Sequence, residues 1–394
     1  MKSRPPRASR SAAIQSGRST WALAATICAL FGWIAWHRAA PFIDDVSPSL
    51  SAGDDWLAYK QNALDILHAG WTIPTLHQAY FQPGGFLYCH FVAVVFAVFG
   101  INTTYVYLVQ MALAGLTVVL FYLAFRPSLS AGLGLVLLPA LAAIVYFDGV
   151  SIWGRYLLSE NLAVPFVAAG MLVLSRAVRT DRLAPYALSG VLFGLVALTR
   201  QSLLFAPLAV MAAVAATITI PTRRRLAVSA AFLSAAAAVI ALLPLRNGLV
   251  TGHFSFSGQY TNHLPANVDS HTLLLFADRI LFTFGIVTSG LGAKPLTWIV
   301  ITHWLVVCLA AVVYVIAAVV RRKLSPMDAA SAAFLLAAFG PFIVLPTLGA
   351  YGMRFQLPYA AVMLFLAFRL IDLIVRRGAP HRIQTARVKR PIVS

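Results

Sequence analysis

The chain has 394 residues, of which 60% are hydrophobic and only 11% are charged, and its mean hydropathy is +0.82. Soluble domains carry roughly 25% charged residues, so this composition excludes a soluble globular protein and predicts an integral membrane protein. The net charge of +18 does not indicate nucleic-acid binding, because the basic residues form short clusters between apolar runs, as membrane topology signals do.

The N-terminus, residues 1–19, is a basic arm with five Lys or Arg residues and no acidic residue. The apolar run WALAATICALFGWIAW follows it, and a secretory signal peptide is the competing interpretation. This run ends in Trp33, Trp36, His37 and Arg38 and has no small-x-small cleavage site. We therefore expect an uncleaved first membrane span.

The first predicted outer loop, residues 41–102, is polar and contains the adjacent carboxylates Asp54 and Asp55. An amphipathic helix is predicted directly after them, because apolar residues recur there every three to four positions. Such a helix would lie along the bilayer surface. Its apolar positions are Trp56, Tyr59, Ala63, Ile66 and Leu67.

The remaining apolar runs predict membrane spans, since crossing about 30 Å of hydrocarbon takes roughly 17–25 residues. Ten runs qualify: 20–40, 103–125, 129–147, 160–178, 183–199, 202–220, 226–245, 296–320, 328–346 and 357–375. The run from Phe86 to Phe99 is shorter. If it does not span, every basic cluster lies in the cytoplasm, as the positive-inside rule requires. We therefore expect it to be interfacial or re-entrant.

This topology predicts an all-α polytopic membrane protein with about ten transmembrane helices and with interfacial helices in the first outer loop. Residues 20–375 form the transmembrane domain, and further outer loops cover 148–159 and 246–295. The basic tail 376–394 and the N-terminal arm are both expected in the cytoplasm.

The acidic residues divide unevenly between the two predicted sides. Only Asp181, Asp328 and Asp372 fall on the inner side. Glu160, the only glutamate, begins a predicted span. It is either a helix N-terminal charge with Ser159 as the cap or a carboxylate of a functional site, because ionisable groups at membrane spans are costly.

Several cations lie alone at the outer ends of predicted spans. Interfacial snorkelling accounts for any single one of them. As a group they predict an anionic ligand at the outer face, because guanidinium groups match phosphate geometry. They are Arg155, Arg200, Arg246, Arg279, Lys294 and Arg354. The three cysteines, in contrast, stand in apolar contexts and predict neither disulfides nor a metal site.

Four short motifs follow one another on the predicted outer side. Asp55-x-x-x-Tyr59 begins the surface helix, and Leu158-Ser159-Glu160-Asn161-Leu162 follows in the second outer loop. Between them, Tyr80-Phe81-Gln82-Pro83 leads through Tyr88 to Phe99 and Gly100. Basic motifs come last, Gly194 to Arg200 and Arg354 to Pro358. In this order they resemble the GT-C-type glycosyltransferases that use polyprenyl-phosphate sugars, the group of the protein O-mannosyltransferases and the lipid A aminoarabinose transferase.

The resemblance implies a GT-C-like fold and an inverting transfer of a sugar from a polyprenyl-phosphate donor to an envelope acceptor hydroxyl. The reaction would take place on the outer face of the cell (inner) membrane, with a glycan, a lipid or a protein as acceptor. It implies Asp55 as the base, with Asp54 as the alternative. Glu160 would orient the acceptor or share a divalent cation with Asp55, and the need for a metal stays open. Phosphate-binding residues would be Arg200 and Arg354 with Arg155 and Arg246 behind them, and substrate-loop residues Tyr59, Gln82, Pro83 and Tyr88.

Two other classes compete with an enzyme. A flippase or transporter of lipid-linked sugars would show charged or Gly/Pro-broken spans near mid-bilayer, often in two related halves. Here the ionisable residues gather at one predicted face, and no internal halves are visible, which favours an enzyme. An assembly partner in an envelope complex is the third class.

Overall fold

The computed structural model describes residues 8–39, 55–69, 86–146, 157, 159–251, 254, 295–344 and 357–378. Within these ranges the regular structure is entirely helical, which confirms the predicted all-α membrane fold. The helices are α1 (Ala8–Ala39), α2 (Asp55–Ala69), α3 (Phe86–Phe99), α4 (Thr103–Phe125), α5 (Ala131–Ala143), α6 (Glu160–Thr180), α7 (Leu183–Thr199), α8 (Ala206–Thr217), α9 (Thr222–Ile240), α10 (Leu242–Thr251), α11 (Pro295–Val320), α12 (Pro326–Val344) and α13 (Leu357–Gly378).

Each of the ten predicted spans coincides with a helix, but their lengths differ from the prediction. Within the described residues, three helical segments are long and apolar enough to cross a membrane: Thr103–Ser128, Glu160–Thr180 and Thr222–Leu249, the last of which joins α9 and α10. Helices α5 and α8 have only 13 and 12 residues. At 1.5 Å per residue they measure about 20 Å, short of the roughly 30 Å of hydrocarbon. Each is bounded by a local break in the α-helical hydrogen bonding: a π-helical turn follows α5, and a 3₁₀ turn, Gln201–Leu203, precedes α8.

The two helices of the first outer loop begin and end close to where the sequence predicts them. Helix α3 covers 14 residues, Phe86 to Phe99, and is therefore about 21 Å long, too short to cross the hydrocarbon. Its buried face packs on the apolar face of α2 and forms a hydrophobic cluster separate from the main core. Val106 of α4 and Leu162 of α6 belong to the same cluster. The first loop is thereby held against the beginning of α6.

Helices α6, α7 and α9 pack closely against one another. A Cβ atom at Gly190 of α7 would lie 2.1 Å from the carbonyl oxygen of Phe232 on α9. One turn later, a Cβ atom at Gly194 would lie 2.9 Å from the carbonyl oxygen of Ala236. Two small residues spaced by four allow helix backbones to approach this closely in a membrane. On the other side of α7, the Ser189 hydroxyl donates to the Gly170 carbonyl of α6 at 3.0 Å.

Helices α4, α6 and α13 run in the same direction, because residues near the beginning of all three, such as Gln110, Asn161 and Ala360, line one cavity. Glu160 therefore lies at one end of the bundle. The distant parts of α4 and α13 meet toward the other end, where Arg369 of α13 donates to the carbonyl of Ser128 at 2.6 Å. Residues predicted on the outer side and residues predicted on the inner side thus lie at opposite ends of the described bundle, and which end faces the cytoplasm stays a prediction.

The predicted inner end contains a buried network of charges. Arg369 forms two hydrogen bonds to Asp328, Nε to Oδ1 at 2.9 Å and Nη2 to Oδ2 at 3.0 Å. Tyr314 of α11 donates to the same carboxylate at 2.8 Å. Asp372 accepts from the backbone amide of Ser130 at 3.2 Å. These contacts join α11, α12 and α13 to the turn between α4 and α5.

A first prediction concerns the contact between α7 and α9. Gly190→Ala should lower the free energy of unfolding by about 1–3 kcal/mol, because the added methyl group has no space against the Phe232 backbone. The measurement is thermal unfolding of the purified full-length protein in detergent.

Gly132→Ala on α5 is the matched control. A Cβ atom at Gly132 meets nothing within 4 Å, so this change should be neutral or stabilising by up to about 1 kcal/mol. Equal destabilisation by the two substitutions would contradict the close approach of α7 and α9.

Candidate active site

A buried ion pair joins the beginning of α6 to the end of α7. Nη1 of Arg200 lies 2.5 Å from Oε1 of Glu160, and the two side chains are only 9% and 3% exposed. The two helices, connected by the short turn at Asp181 and Arg182, form an antiparallel hairpin, so their distant ends return to the same level. The sequence predicted these residues separately, as a carboxylate and a phosphate-binding cation, and the structure brings them into direct contact.

The pair is fixed on both sides by hydroxyl groups. Oγ of Ser159 donates to Oε2 of Glu160 at 3.2 Å. Nε of Arg200 donates to Oγ of Ser202 at 3.1 Å. Both the carboxylate and the guanidinium are therefore held in a fixed orientation, as buried charges require.

Tyr59 connects this pair to the first outer loop. Its hydroxyl donates to Oγ of Ser159 at 3.5 Å, which completes a chain from Tyr59 through Ser159 and Glu160 to Arg200. Asp55 is the first residue of α2 and precedes Tyr59 by about one helical turn, a rise of roughly 6 Å. The predicted acidic motif and the second acidic position therefore meet at one end of the bundle.

Of the two alternatives for Glu160, the one in which Ser159 caps α6 is met in position only, since Ser159 is the N-cap residue. Ser159 precedes the helix, but its side chain makes no capping hydrogen bond to the backbone. Its backbone carbonyl accepts from the amides of Leu162 and Ala163 instead, and the hydroxyl is turned to Glu160. The buried guanidinium of Arg200 decides this orientation, because it fixes the carboxylate that the hydroxyl contacts.

Tyr88 and Gln110 join α3 to α4 beside the ion pair. The Tyr88 hydroxyl donates to Oε1 of Gln110 at 2.7 Å, and the Tyr88 ring meets the Tyr59 ring edge to face at 5.1 Å. Gln110 also lines a cavity of about 40 Å³ together with Thr117, Asn161 and Ala360. This volume accommodates ordered water and is far below the roughly 300–1,000 Å³ of ligand pockets. A sugar does not fit into it.

Arg246, predicted as a phosphate-binding residue, lies on α10 next to the beginning of α3. Its guanidinium is 5.8 Å from the centre of the Phe86 ring, and Nη1 donates to Oδ1 of Asn247 at 2.8 Å. The cation therefore lies beside Phe86, which follows Pro83 by three residues in the chain. The structure therefore associates Arg246 with the first outer loop.

Several predicted site residues fall outside the described part of the chain. Asp54, Gln82, Pro83, Arg155 and Arg354 have no described structure, and for Asp55 only the backbone position is described. Their predicted roles stay predictions. Among the described residues, no group of three or more His, Cys, Asp or Glu side chains is arranged to hold a metal ion.

The structure adds residues that sequence reasoning did not select. Ser202 and Tyr359 both lie near Arg200, Ser202 by a hydrogen bond and Tyr359 within electrostatic range. Gln110 had a signal in the sequence, since a glutamine inside an apolar helix needs a polar partner. Tyr359 directly follows the predicted motif from Arg354 to Pro358. Ser202 had no signal that could be recognised before the turn after α7 was known.

Comparisons with known proteins agree with this architecture. The sequence model of the dolichyl-phosphate-mannose-protein mannosyltransferase family matches residues 83–246, which include the ion pair and α3 but less than half of the chain. No curated protein sequence matches at a significant level.

Among solved structures, the fold is similar to the oligosaccharyltransferase of Archaeoglobus fulgidus. The structure tethered to an acceptor peptide with an NVT sequon aligns with a TM-score of 0.50 and 12% identity over 94% of this chain and 52% of that one. The apo structure aligns with the same score and identity over 90% and 51%. The chain thus spans about half the length of the enzyme it resembles. These findings confirm the resemblance to GT-C-type glycosyltransferases, by the sequence of residues 83–246 and by the fold.

A second prediction tests the burial of the ion pair. Glu160→Gln should lower the free energy of unfolding by about 3–5 kcal/mol, because it leaves the buried guanidinium of Arg200 without its counter-charge. Thermal unfolding in detergent measures the loss.

The matched control is Asp181→Asn, which neutralises a carboxylate paired with Arg224 at 3.2 Å. That pair is 34% and 46% exposed, and exposed pairs contribute only about 0–1 kcal/mol. If the two variants unfold at the same temperature, the Glu160–Arg200 pair is not buried in the protein as purified.

Proposed function

We propose that the protein transfers a sugar from a polyprenyl-phosphate donor to an acceptor hydroxyl at the outer face of the membrane, with inversion. The observation that carries this proposal is the hydrogen-bonded chain from Tyr59 to Arg200. This chain joins the helix that begins at Asp55 to a buried guanidinium. The guanidinium lies at the end of the bundle where the long apolar helices α4 and α6 begin. A lipid-borne phosphate would be presented at that level.

In the proposed reaction the acceptor oxygen attacks the anomeric carbon of the sugar. The new carbon–oxygen bond forms as the bond to the phosphate oxygen breaks, and polyprenyl phosphate leaves with the bonding electrons. The acceptor proton passes to the carboxylate of Asp55, with Asp54 as the alternative base. Negative charge grows on the departing phosphate, where a preoriented cation has its greatest effect.

Arg200 is the described residue best suited to that phosphate. Its guanidinium is held by Glu160 and Ser202, so no reorientation is needed when charge develops. Arg246, beside Phe86, supplies a further cation next to the first outer loop. Arg354 and Arg155 complete the proposed set.

Glu160 is proposed to hold Arg200 in place. Both of its carboxylate oxygens have partners, Oε1 with Arg200 and Oε2 with Ser159. This arrangement favours a positioning role over that of a general base. It also disfavours the sharing of a divalent cation with Asp55, because such an ion would compete with the guanidinium for the same oxygens.

The third prediction concerns the base. Asp55→Asn should reduce sugar transfer at least about 100-fold, the lower range of general-base contributions, while abundance and unfolding temperature stay unchanged. The assay incubates the purified full-length protein with polyprenyl-phosphate sugars and an acceptor panel of envelope glycolipid, glycan and peptide, and quantifies polyprenyl phosphate released.

The matched control is Asp65→Asn on the same helix, whose carboxylate accepts from Gln61 at 2.9 Å in an exposed position. It should retain wild-type turnover. Full activity of Asp55→Asn would remove Asp55 from the mechanism and make Asp54 the next residue to substitute. Translocation of the donor across vesicles with no release of polyprenyl phosphate by the wild type would replace the transferase with a flippase.

A further inference from the structure

A second charged region lies at the opposite end of α6 from Glu160. The end of α6, its turn into α7 and the first turn of α9 meet there. Six arginines occur in these stretches against one carboxylate, Asp181: they are Arg176, Arg179, Arg182, Arg223, Arg224 and Arg225. Arg224 joins the two stretches, since its Nε lies 3.2 Å from Oδ1 of Asp181 and its Nη2 donates to the Asp181 carbonyl. We call these residues the arginine corner.

The position of three of the arginines is electrostatically unfavourable without a counter-ion. Arg223, Arg224 and Arg225 occupy the first turn of α9, which contains no acidic residue and has no side-chain cap from Pro221. The N-terminus of a helix carries a positive partial charge that repels cations. An anion would be stabilised there by both the helix and the arginines.

Several arginine donors of the corner are bound within the protein, since Arg179 donates to Ser175 and Nη2 of Arg225 donates to the carbonyl oxygens of Ile218 and Ile220. Two other donors are buried without an acceptor within the described ranges. Tyr186 is fully buried, lies within electrostatic range of Asp181 and Arg224, and its hydroxyl has no hydrogen-bond partner among the described residues. Nε of Arg225 is likewise buried without an acceptor in the described part of the protein. Buried polar groups are normally paired, so two such donors at one corner are a second indication of a ligand rich in acceptors.

The location favours a lipid as the source of that ligand. The corner lies at the end of α6 and at the beginning of the segment Thr222–Leu249, which starts with α9, and both are long and apolar enough to span the membrane. The corner therefore lies where the hydrocarbon-facing parts of these segments end. Large apolar side chains flank it and are exposed by 40–66%: they are Leu183, Leu188 and Leu226. Acyl chains would cover these leucines while a headgroup reaches the arginines.

We propose that the arginine corner binds the phosphate of an anionic phospholipid headgroup. Guanidinium groups recognise phosphate through paired hydrogen bonds. The 21 residues of α6 separate this corner from Glu160 by about 30 Å, so the proposal does not depend on the catalytic one.

The test measures thermal unfolding of the full-length protein in detergent with added phosphatidylglycerol or phosphatidylcholine. Phosphatidylglycerol should raise the unfolding temperature by about 4 °C more than phosphatidylcholine, as a ligand that binds only the folded state does. The double variant Arg182→Gln/Arg223→Gln should lose most of this difference. Native mass spectrometry should show fewer retained anionic lipids.

The matched control is Arg321→Gln/Lys323→Gln, which removes two exposed charges from the turn between α11 and α12 and should keep the full difference. An equal loss in both double variants would overturn the proposal in favour of general charge attraction. Equal protection by glycerol phosphate, which has no acyl chains, would overturn the lipid in favour of a soluble phosphate. Should the Gln variant unfold early in phosphatidylcholine, Arg182→Lys/Arg223→Lys replaces it and must keep part of the difference.

Discussion

The buried contact between Glu160 and Arg200 is the constraint on which the rest of the candidate site depends. Neither charge is tolerated alone at this depth, because removing one partner leaves the other without compensation. The contact requires α6 and α7 to return to the same level. Their hairpin is in turn held by Gly190 and Ser189, which pack α7 against α9 and α6. Packing in the middle of the bundle thus determines the geometry at its end.

The same contact orients the guanidinium of Arg200 for its proposed role in the reaction. A guanidinium that is already oriented by a carboxylate and a hydroxyl can stabilise a leaving phosphate without rearrangement. Tyr59 and Tyr88 bring the first outer loop to this guanidinium through hydrogen bonds and ring contacts. The described cavity beside it is too small for a sugar. This cavity is therefore not the binding site for the proposed donor.

The two ends of the bundle use charge differently. At the predicted outer end, Glu160 and Arg200 form one buried ion pair, which belongs to the site of the proposed reaction. At the other end, Arg369, Asp328 and Asp372 connect three helices to the turn after α4, and the arginine corner carries an excess of positive charge. The archaeal enzyme has a similar fold over about half its length.

Much of this was determined by the sequence alone. Hydropathy and length decide which runs become helices, because apolar segments must satisfy their backbone hydrogen bonds internally, and α2 and α3 appear where periodicity and Pro or Gly breaks place them. The motifs also named Glu160, Arg200, Tyr59 and Tyr88. Only the tertiary structure decided that Glu160 and Arg200 are partners and that Ser159 turns from the backbone to the carboxylate. The local sequence shows which side chains are charged. Which of them become partners depends on the distance between helix ends in the folded protein. The packing of residues far from the pair, such as Gly190 against Phe232, determines that distance.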